Sequence, residues 1–258
     1  VERNAVPREL TITEEQELAH PPERVWRAIT TGAGNLGWLY PMEVEPGVGG
    51  AVSRGGAEVV EWEPPHRFAC RAGDGNGFST TLSYRLDGTG GGVRLRADIH
   101  WVHEGEPDEG WDTRGDAAAR YAGFYHHGLA EYLRHFDGRP ATYVKAAREH
   151  AGVGELGIVA GALGLVDSDV AGSRVRLEPL GLAPLEGVLD YRDQDFVGVR
   201  TQDGLYRFFG GDRWRWPTWV AHHLFAPGVD GGTEARRWQA WLDGLLDGAC
   251  AGAVGSDG

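Results

Sequence analysis

The sequence predicts an α+β chain in which a curved antiparallel sheet is gripped by one long helix, followed by a shortened second copy of the same plan. Three observations carry this. Residues 113–137 read as one amphipathic helix: Ala118, Tyr121, Ala122, Tyr125, Gly128, Leu129, Tyr132, Leu133 and Phe136 recur at i, i+3, i+4, i+7 spacing, with Arg120, His127, Glu131 and Arg134 opposite. Ahead of it lie short strand-like runs separated by turn residues, the pattern of an antiparallel meander. A second series of short runs then leads to a second amphipathic helix, and the two helices end alike, Phe136-Asp137-Gly138 and Leu246-Asp247-Gly248.

The chain opens with a strand over residues 10–18. Leu10, Ile12, Glu14, Gln16 and Leu18 share one side, and Glu9, Thr11, Thr13, Glu15 and Glu17 the other. If the leucine side faces the interior, Glu14 and Gln16 face it too, and buried polar groups need partners. They are therefore residues of a site or neighbours of a wet cavity, unless the middle of the strand lies at an exposed edge. His20-Pro-Pro-Glu-Arg-Val-Trp-Arg-Ala-Ile-Thr starts a short helix, since proline is tolerated in the first turn. Gly32, Gly34 and Gly37 break it up before Trp38-Leu39-Tyr40-Pro41.

Strand-like runs follow at residues 51–54, 57–62, 66–71, 78–86 and 92–102, separated by Gly55-Gly56, Pro64-Pro65, Asp74-Gly75 and Asp87-Gly88. Parity puts Phe78, Thr80, Leu82, Tyr84 and Leu86 on one face, with Val93, Leu95, Ala97, Ile99 and Trp101 on the same face of the next strand. Ser79, Thr81, Ser83 and Arg85, then Arg94, Arg96, Asp98 and His100, make the solvated face. The long helix has Thr113 with Asp116 as its N-terminal cap and stops at Gly138 and Pro140. It is roughly 36 Å long, enough to cross six strands about 4.8 Å apart. A strongly curved sheet cannot touch such a helix along its whole length, and the gap is a natural pocket.

After Pro140, residues 142–150 and 155–165 read as helical, with Gly152 and Gly154 between them. Strand-like runs follow at 173–178, 187–191, 196–201, 205–209 and 218–225, with Gln202-Asp203-Gly204 as a hairpin turn. A helix over 233–247 buries Ala235, Trp238, Trp241, Leu242, Leu245 and Leu246. The expected division is a complete domain over 1–140, a truncated copy over 141–250 that lacks the opening strand and the full helix pair, and a flexible tail over 251–258. A truncated copy leaves a sheet edge and one face open, to be covered by the first domain or, in a homodimer, by a second chain.

Composition narrows the function classes. With 25 Lys and Arg against 38 Asp and Glu, the formal charge is −13, which argues against a nucleic-acid partner and against anionic membranes. Lys145 is the only lysine, a bias expected of a GC-rich bacterial genome. Cys70 and Cys250 are too few for a disulfide scaffold. No basic-then-apolar leader begins the sequence and no apolar run approaches eighteen residues, so a cytoplasmic location is expected. His126-His127 and His222-His223 resemble metal ligands, but neighbours point about 100° apart on a helix and to opposite faces on a strand. No metal and no cofactor are expected. The Gly88 to Gly92 segment lacks the lysine and helix of a phosphate loop, and there is no Gly-x-Ser-x-Gly nucleophile elbow.

Several stretches resemble a known superfamily. His20 through Thr30, Pro46-Gly47-Val48-Gly49-Gly50, Val59-Val60-Glu61-Trp62-Glu63-Pro64-Pro65-His66-Arg67-Phe68, and Gly123 through Gly138 as closing helix are similar to the SRPBCC or START-like proteins of helix-grip fold. Within it they resemble the bacterial branch related to heat-shock chaperone ATPase activator homologues. The resemblance covers about the first 140 residues and implies a pocket fold, in a superfamily that spans lipid carriers, polyketide cyclases and chaperone cofactors. Fold alone does not choose among these.

The expected pocket walls are Trp38, Tyr40, Trp62, Phe68, Phe78, Tyr84, Trp101, Tyr121 and Tyr125. Such walls suit a hydrophobic, ring-containing small molecule whose polar end is oriented by a tyrosine or carboxylate. Were the site polyketide cyclase-like, Tyr84, Tyr121 or Tyr125 would donate a proton to a carbonyl or enolate, with Glu14 as a base of raised pKa. The alternative is a protein-interaction module of the chaperone-activator kind.

Overall fold

The computed structural model describes residues 7–105 and 108–254. The chain divides into two units, Val1–Gly138 and Arg139–Gly258. The first runs β1 (Arg8–Leu18), α1 (Pro22–Thr30), α2 (Gly32–Asn35), β2 (Ala51–Val52), β3 (Ala57–Glu63), β4 (Arg67–Gly73), β5 (Phe78–Thr89), β6 (Gly92–His103) and α3 (Trp111–His135). Its six strands form one antiparallel sheet in the order β1-β6-β5-β4-β3-β2. The first strand returns beside the last, from Arg8 opposite His103 to Leu18 opposite Val93, and α3 closes the sheet. This is the helix-grip fold.

The alternation seen along the sequence sets the faces. Tyr84 lies opposite Ala97, Leu86 opposite Leu95 and Leu82 opposite Ile99, so the apolar residues of β5 and β6 share the inner face. Outside, Arg96 pairs with Glu15 and Asp98, and Arg94 with Glu17, a solvated ladder worth little to stability. Parity alone would turn Trp62 away from Val59. A register shift between Val59 and Glu61 restores it to the inner face, opposite Phe68.

Two local expectations are corrected in this unit. Helix α3 starts at Trp111 after Gly110, with no side-chain cap, so Thr113 and Asp116 lie within its first turns. Trp111 is buried with its ring 5.7 Å from Trp101 and 6.2 Å from Phe78, and burial of that indole starts the helix ahead of the polar signal. The last inter-strand turn falls at Gly90 and Gly91, because β5 runs through Asp87 and Gly88 to Thr89.

The second unit runs β7 (Thr142–Ala147), α4 (Glu155–Ala162), β8 (Arg174–Leu177), β9 (Leu185–Arg192), β10 (Phe196–Thr201), β11 (Gly204–Phe209), β12 (Trp219–Leu224) and α5 (Gly231–Val254). Its strand order, β7-β12-β11-β10-β9-β8, repeats that of the first unit. The expected helix over 142–150 is therefore a strand, and the opening strand thought missing is present. In β7, Val144 and Ala146 are buried while Lys145 is exposed, and the strand pairs with β12 from Thr142 opposite Leu224 to Ala147 opposite Trp219. Ala146-Ala147-Arg148-Glu149-His150 favours helix locally; pairing of residues up to Ala147 along β12 overrides that preference. The copy is shorter in its strands and has one short helix in place of two. Beneath α5, Trp238, Trp241, Leu242 and Leu246 belong to one buried apolar cluster with Val144, Phe208, Val220 and Leu224.

Of the expected tail over 251–258, residues up to Val254 continue α5, and 255–258 lie outside the described residues. No helix among the described residues is long and apolar enough to cross a membrane.

Candidate functional site

A cavity of about 360 Å³ lies between α3 and the inner face of the first sheet. Helix α3 contributes Ala118, Tyr121, Ala122, Tyr125 and His126, one stripe at helical spacing whose two alanines leave the space unfilled. The floor comes from alternate positions of the strands: Cys70 and Ala72, then Phe78, Thr80, Leu82 and Tyr84, then Ile99 and Trp101. The segment after α2 supplies Trp38, Leu39, Tyr40 and Met42. That segment is irregular backbone held by side chains: Asn35 Nδ2 donates to the Met42 carbonyl at 2.8 Å and Trp38 Nε1 to the Ala28 carbonyl at 2.9 Å. With its indole N–H satisfied, Trp38 presents only its ring to the cavity.

Of the rings expected in the wall, Trp38, Tyr40, Phe78, Tyr84, Trp101, Tyr121 and Tyr125 line this cavity, and Trp62 and Phe68 do not. Trp62 stands edge-on to Trp26 of α1 at 5.0 Å and to Phe68 at 5.9 Å, and Phe68 stacks on Tyr84 at 6.3 Å. Phe68 is fully buried and Trp62 half-buried, and both pack on neighbouring rings instead of lining the hollow. Glu14 is also off the lining. It sits on β1 beside Gly123 of α3, where an added Cβ would lie 3.6 Å from its carboxylate, and its pKa is raised by desolvation. Its neighbour in parity, Gln16, donates to the His126 carbonyl at 3.3 Å. Both polar residues of β1 thus face α3 at an end strand of the sheet, so the two earlier readings, interior and edge, are each partly right.

His126 is the lining residue that sequence reasoning passed over. Its pairing with His127 suggests a metal ligand, whereas its spacing from Ala118 and Ala122 puts it on the cavity stripe. The imidazole is 7% exposed. Its Nδ1 lies 2.8 Å from the Ala122 carbonyl; a carbonyl only accepts, so Nδ1 carries the proton and neutral Nε2 is an acceptor. Nε2 is buried and has no hydrogen-bond partner. Desolvation lowers the pKa of His126 to about 4, against a smaller opposing effect of the Ala122 hydrogen bond. Tyr84, 4% exposed, has its ring 5.9 Å from His126. Burial pushes its hydroxyl pKa up, the Cys70 thiol adding to this, so the phenol stays protonated. Cys70 is itself raised to about 11 by burial and is a poor nucleophile at neutral pH.

The mouth is different in character. The Arg54 guanidinium lies 3.8 Å from the centroid of Tyr40, and Tyr40 meets Tyr125 edge-on at 5.9 Å. Tyr125 in turn leans on Tyr121 at 6.3 Å. A cation over the first of a chain of contacting aromatic rings makes a polar rim beside an apolar hollow. Among the described residues no three His, Cys, Asp or Glu side chains converge on a point that could hold a metal. The second unit has its own groove of about 330 Å³, bounded by Gly181, Leu182, Tyr206, Glu234, Arg237 and Trp238. It carries an ion pair between Glu234 and Arg237 at its wall.

Residues 19–138 match the family model described as Activator of Hsp90 ATPase homolog 1-like protein. No curated protein matches the chain. Among solved structures, protein MLL2253 from Mesorhizobium loti is 21% identical, covering 50% of this chain and 99% of its own, with a TM-score of 0.41. CalU16 from Micromonospora echinospora is 16% identical over 50% of this chain and 86% of its own, with a TM-score of 0.37. DynU16, described as a putative protein in the dynemicin biosynthetic locus, is 15% identical over 92% of this chain and 96% of its own, with a TM-score of 0.40.

Proposed function

With residues 19–138 forming an SRPBCC-like domain, we propose that the first unit binds a hydrophobic, ring-containing small molecule in the cavity beneath α3. The observation that carries this reading is the chamber itself, about 360 Å³ walled by aromatic rings with two alanines where larger side chains would fill it. An apolar cavity of roughly 150 Å³ accepts one benzene ring, so this one has room for two to three fused rings. Apolar walls supply affinity and a few polar groups supply orientation, the usual division in small-molecule sites.

Binding without turnover is the form of the proposal. Of the catalytic candidates, Tyr84, Tyr121 and Tyr125 line the cavity, while Glu14 stands outside it. Tyr84 and His126 are both held in their neutral forms, which favours hydrogen bonding over proton transfer at neutral pH. Two measurements test the reading: calorimetric titration of the full chain with naphthalene, and mass spectrometry of small molecules released from protein purified from its native host. Saturable binding of naphthalene and a co-purifying ring compound are expected. No binding of naphthalene or of any other two-ring hydrocarbon would end the reading.

The description of the matching family supports a second reading, docking to a chaperone. Stimulation of a chaperone ATPase by the pure protein, undiminished when the cavity is blocked, would favour it over ligand binding.

A further inference from the structure

The polar side chains along the floor of the cavity beneath α3 are donors. On β4 and β5, Cys70 lies opposite Leu82 and Ala72 opposite Thr80, so Cys70 stands on the inner face between the levels of Thr80 and Tyr84. The Tyr84 ring stacks on Phe68 at 6.3 Å and meets His126 of α3 edge-on at 5.9 Å, which sets its phenol between sheet and helix. Among the described residues, the hydroxyls of Tyr84 and Thr80 make no hydrogen bond, and neither oxygen is one of the unpartnered polar atoms sealed inside the protein, a set that includes His126 Nε2. Both hydroxyls therefore border the cavity, Tyr84 while only 4% exposed as a residue, and His126 Nε2 takes no part. The Cys70 thiol is kept protonated by burial and is tied to the Leu82 backbone. At the mouth, Arg54 only donates, as does the Trp101 indole. Phenols donate better than they accept, because the ring draws density from the oxygen. No Asp, Glu, Asn or Gln side chain among the described residues lines the cavity.

We propose that the ligand of this cavity is an uncharged ring ketone, whose carbonyl oxygen accepts a hydrogen bond from the Tyr84 hydroxyl while its rings lie against Ile99, Trp101, Ala118 and Ala122. A site that buries an unmatched donor selects the ligand that brings the acceptor over a hydrocarbon of the same shape. Desolvation, with the Cys70 thiol adding to it, pushes the Tyr84 pKa up, so the donor keeps its proton at neutral pH. The charge of Arg54 is felt at Cys70, and this positive potential over the same floor favours the oxygen end of a carbonyl dipole. Thr80, roughly 13 Å along β5 from Tyr84, offers its hydroxyl to a second oxygen at the far end of the ligand. A carboxylate beside Tyr84 would give up its hydration in a wall whose one full charge, Arg54, is exposed at the mouth, so the neutral acceptor is favoured. The proposal rests on the ligand-binding reading above and narrows it to one chemical class.

The test is calorimetric titration of the full chain and of its Tyr84→Phe variant with 1-tetralone and with tetralin, the same two rings with a methylene in place of the carbonyl. Tyr84→Phe removes one unpartnered hydroxyl and keeps the ring that stacks on Phe68. Affinity for 1-tetralone is expected to fall on the order of tenfold in the variant, while tetralin binds both proteins alike. Infrared difference spectra of 1-tetralone labelled with ¹³C at its carbonyl give a second readout. Bound to the wild-type chain, the carbonyl stretch is expected at lower wavenumber than in an alkane solvent; bound to Tyr84→Phe, it is expected near the alkane position. Should the variant not fold, the wild-type band decides alone. Equal 1-tetralone affinity in the two proteins, an equal loss for both compounds in the variant, or a wild-type band at the alkane position would overturn the proposal while leaving the cavity a ring-binding site. Failure of both compounds to bind the wild-type chain would overturn both readings.

Discussion

Filling the cavity from the helix side separates an open chamber from a packed core by the sign of a stability change. Ala118 lies on the cavity stripe of α3 and is half-buried, and Ala118→Phe adds one aromatic ring. A ring needs roughly 150 Å³, less than half of the cavity's about 360 Å³, so no neighbour has to move. Burying a phenylalanine side chain contributes about 1.5–3 kcal/mol. Lower helix propensity costs about 0.5 kcal/mol and lost side-chain freedom a similar amount. The expected net gain is about 1 kcal/mol, roughly 3 °C in the unfolding midpoint of a unit this size. The same ring occupies the ligand's space, so naphthalene affinity should fall at least tenfold. Differential scanning calorimetry and titration calorimetry on the same preparation read both quantities. Were the space solid, overpacking would instead cost about 1–3 kcal/mol; a lowered midpoint with unchanged naphthalene binding would refute the reasoning.

Three other outcomes are expected. Stability of the first unit should depend on pH through His126: the unfolded imidazole takes up a proton near pH 6.5, whereas the folded one does so only near about 4. The unfolded chain therefore binds more protons between these values, so stability is full above pH 6.5 and declines by ~3 kcal/mol as pH falls toward 4; urea unfolding of wild type and His126→Phe across that window should show a shallower slope in the variant. Gly34→Ala places a Cβ 2.3 Å from the Arg27 carbonyl oxygen, a backbone atom that cannot step aside, and should cost about 1–3 kcal/mol and loosen the Trp38 wall, seen as a red shift in tryptophan emission. In the second unit, Arg207 forms a two-pronged pair with Asp190 at 2.8 and 3.0 Å, both side chains 4% exposed. Asp190→Ala should destabilise by about 3–5 kcal/mol, and the double substitution Asp190→Leu with Arg207→Met should recover much of it, because the large cost is an orphaned buried charge; chemical denaturation of the single and double variants distinguishes these.

The sequence was most legible where periodicity and burial coincide. Alternation along β5 and β6 put Leu82, Tyr84, Ile99 and Trp101 on one face, and these residues line the cavity. The helical stripe through Ala118, Tyr121, Ala122 and Tyr125 found the opposing wall. Local signals failed where distant partners outweigh them. Residues 142–147 carry neighbours that favour helix, yet hydrogen bonding to β12 makes them the opening strand of a second complete sheet. Trp62 and Phe68 are aromatic and inward, as expected of walls, but they pack on each other, with Trp26 of α1 edge-on to Trp62, and neither borders the hollow.

By itself, then, the amino-acid order determined which faces are apolar, that two sheets each end in a closing helix, and that rings would meet beneath the first of them, because side-chain direction follows from backbone repeat alone. Tertiary structure decided which of those rings border empty space and which interlock. It also decided that Glu14 lies aside from the hollow, and that one histidine stands in its wall. Those outcomes depend on the third dimension of packing, on whether a side chain from a remote element fills the volume in front of a residue, and no spacing along the chain records that.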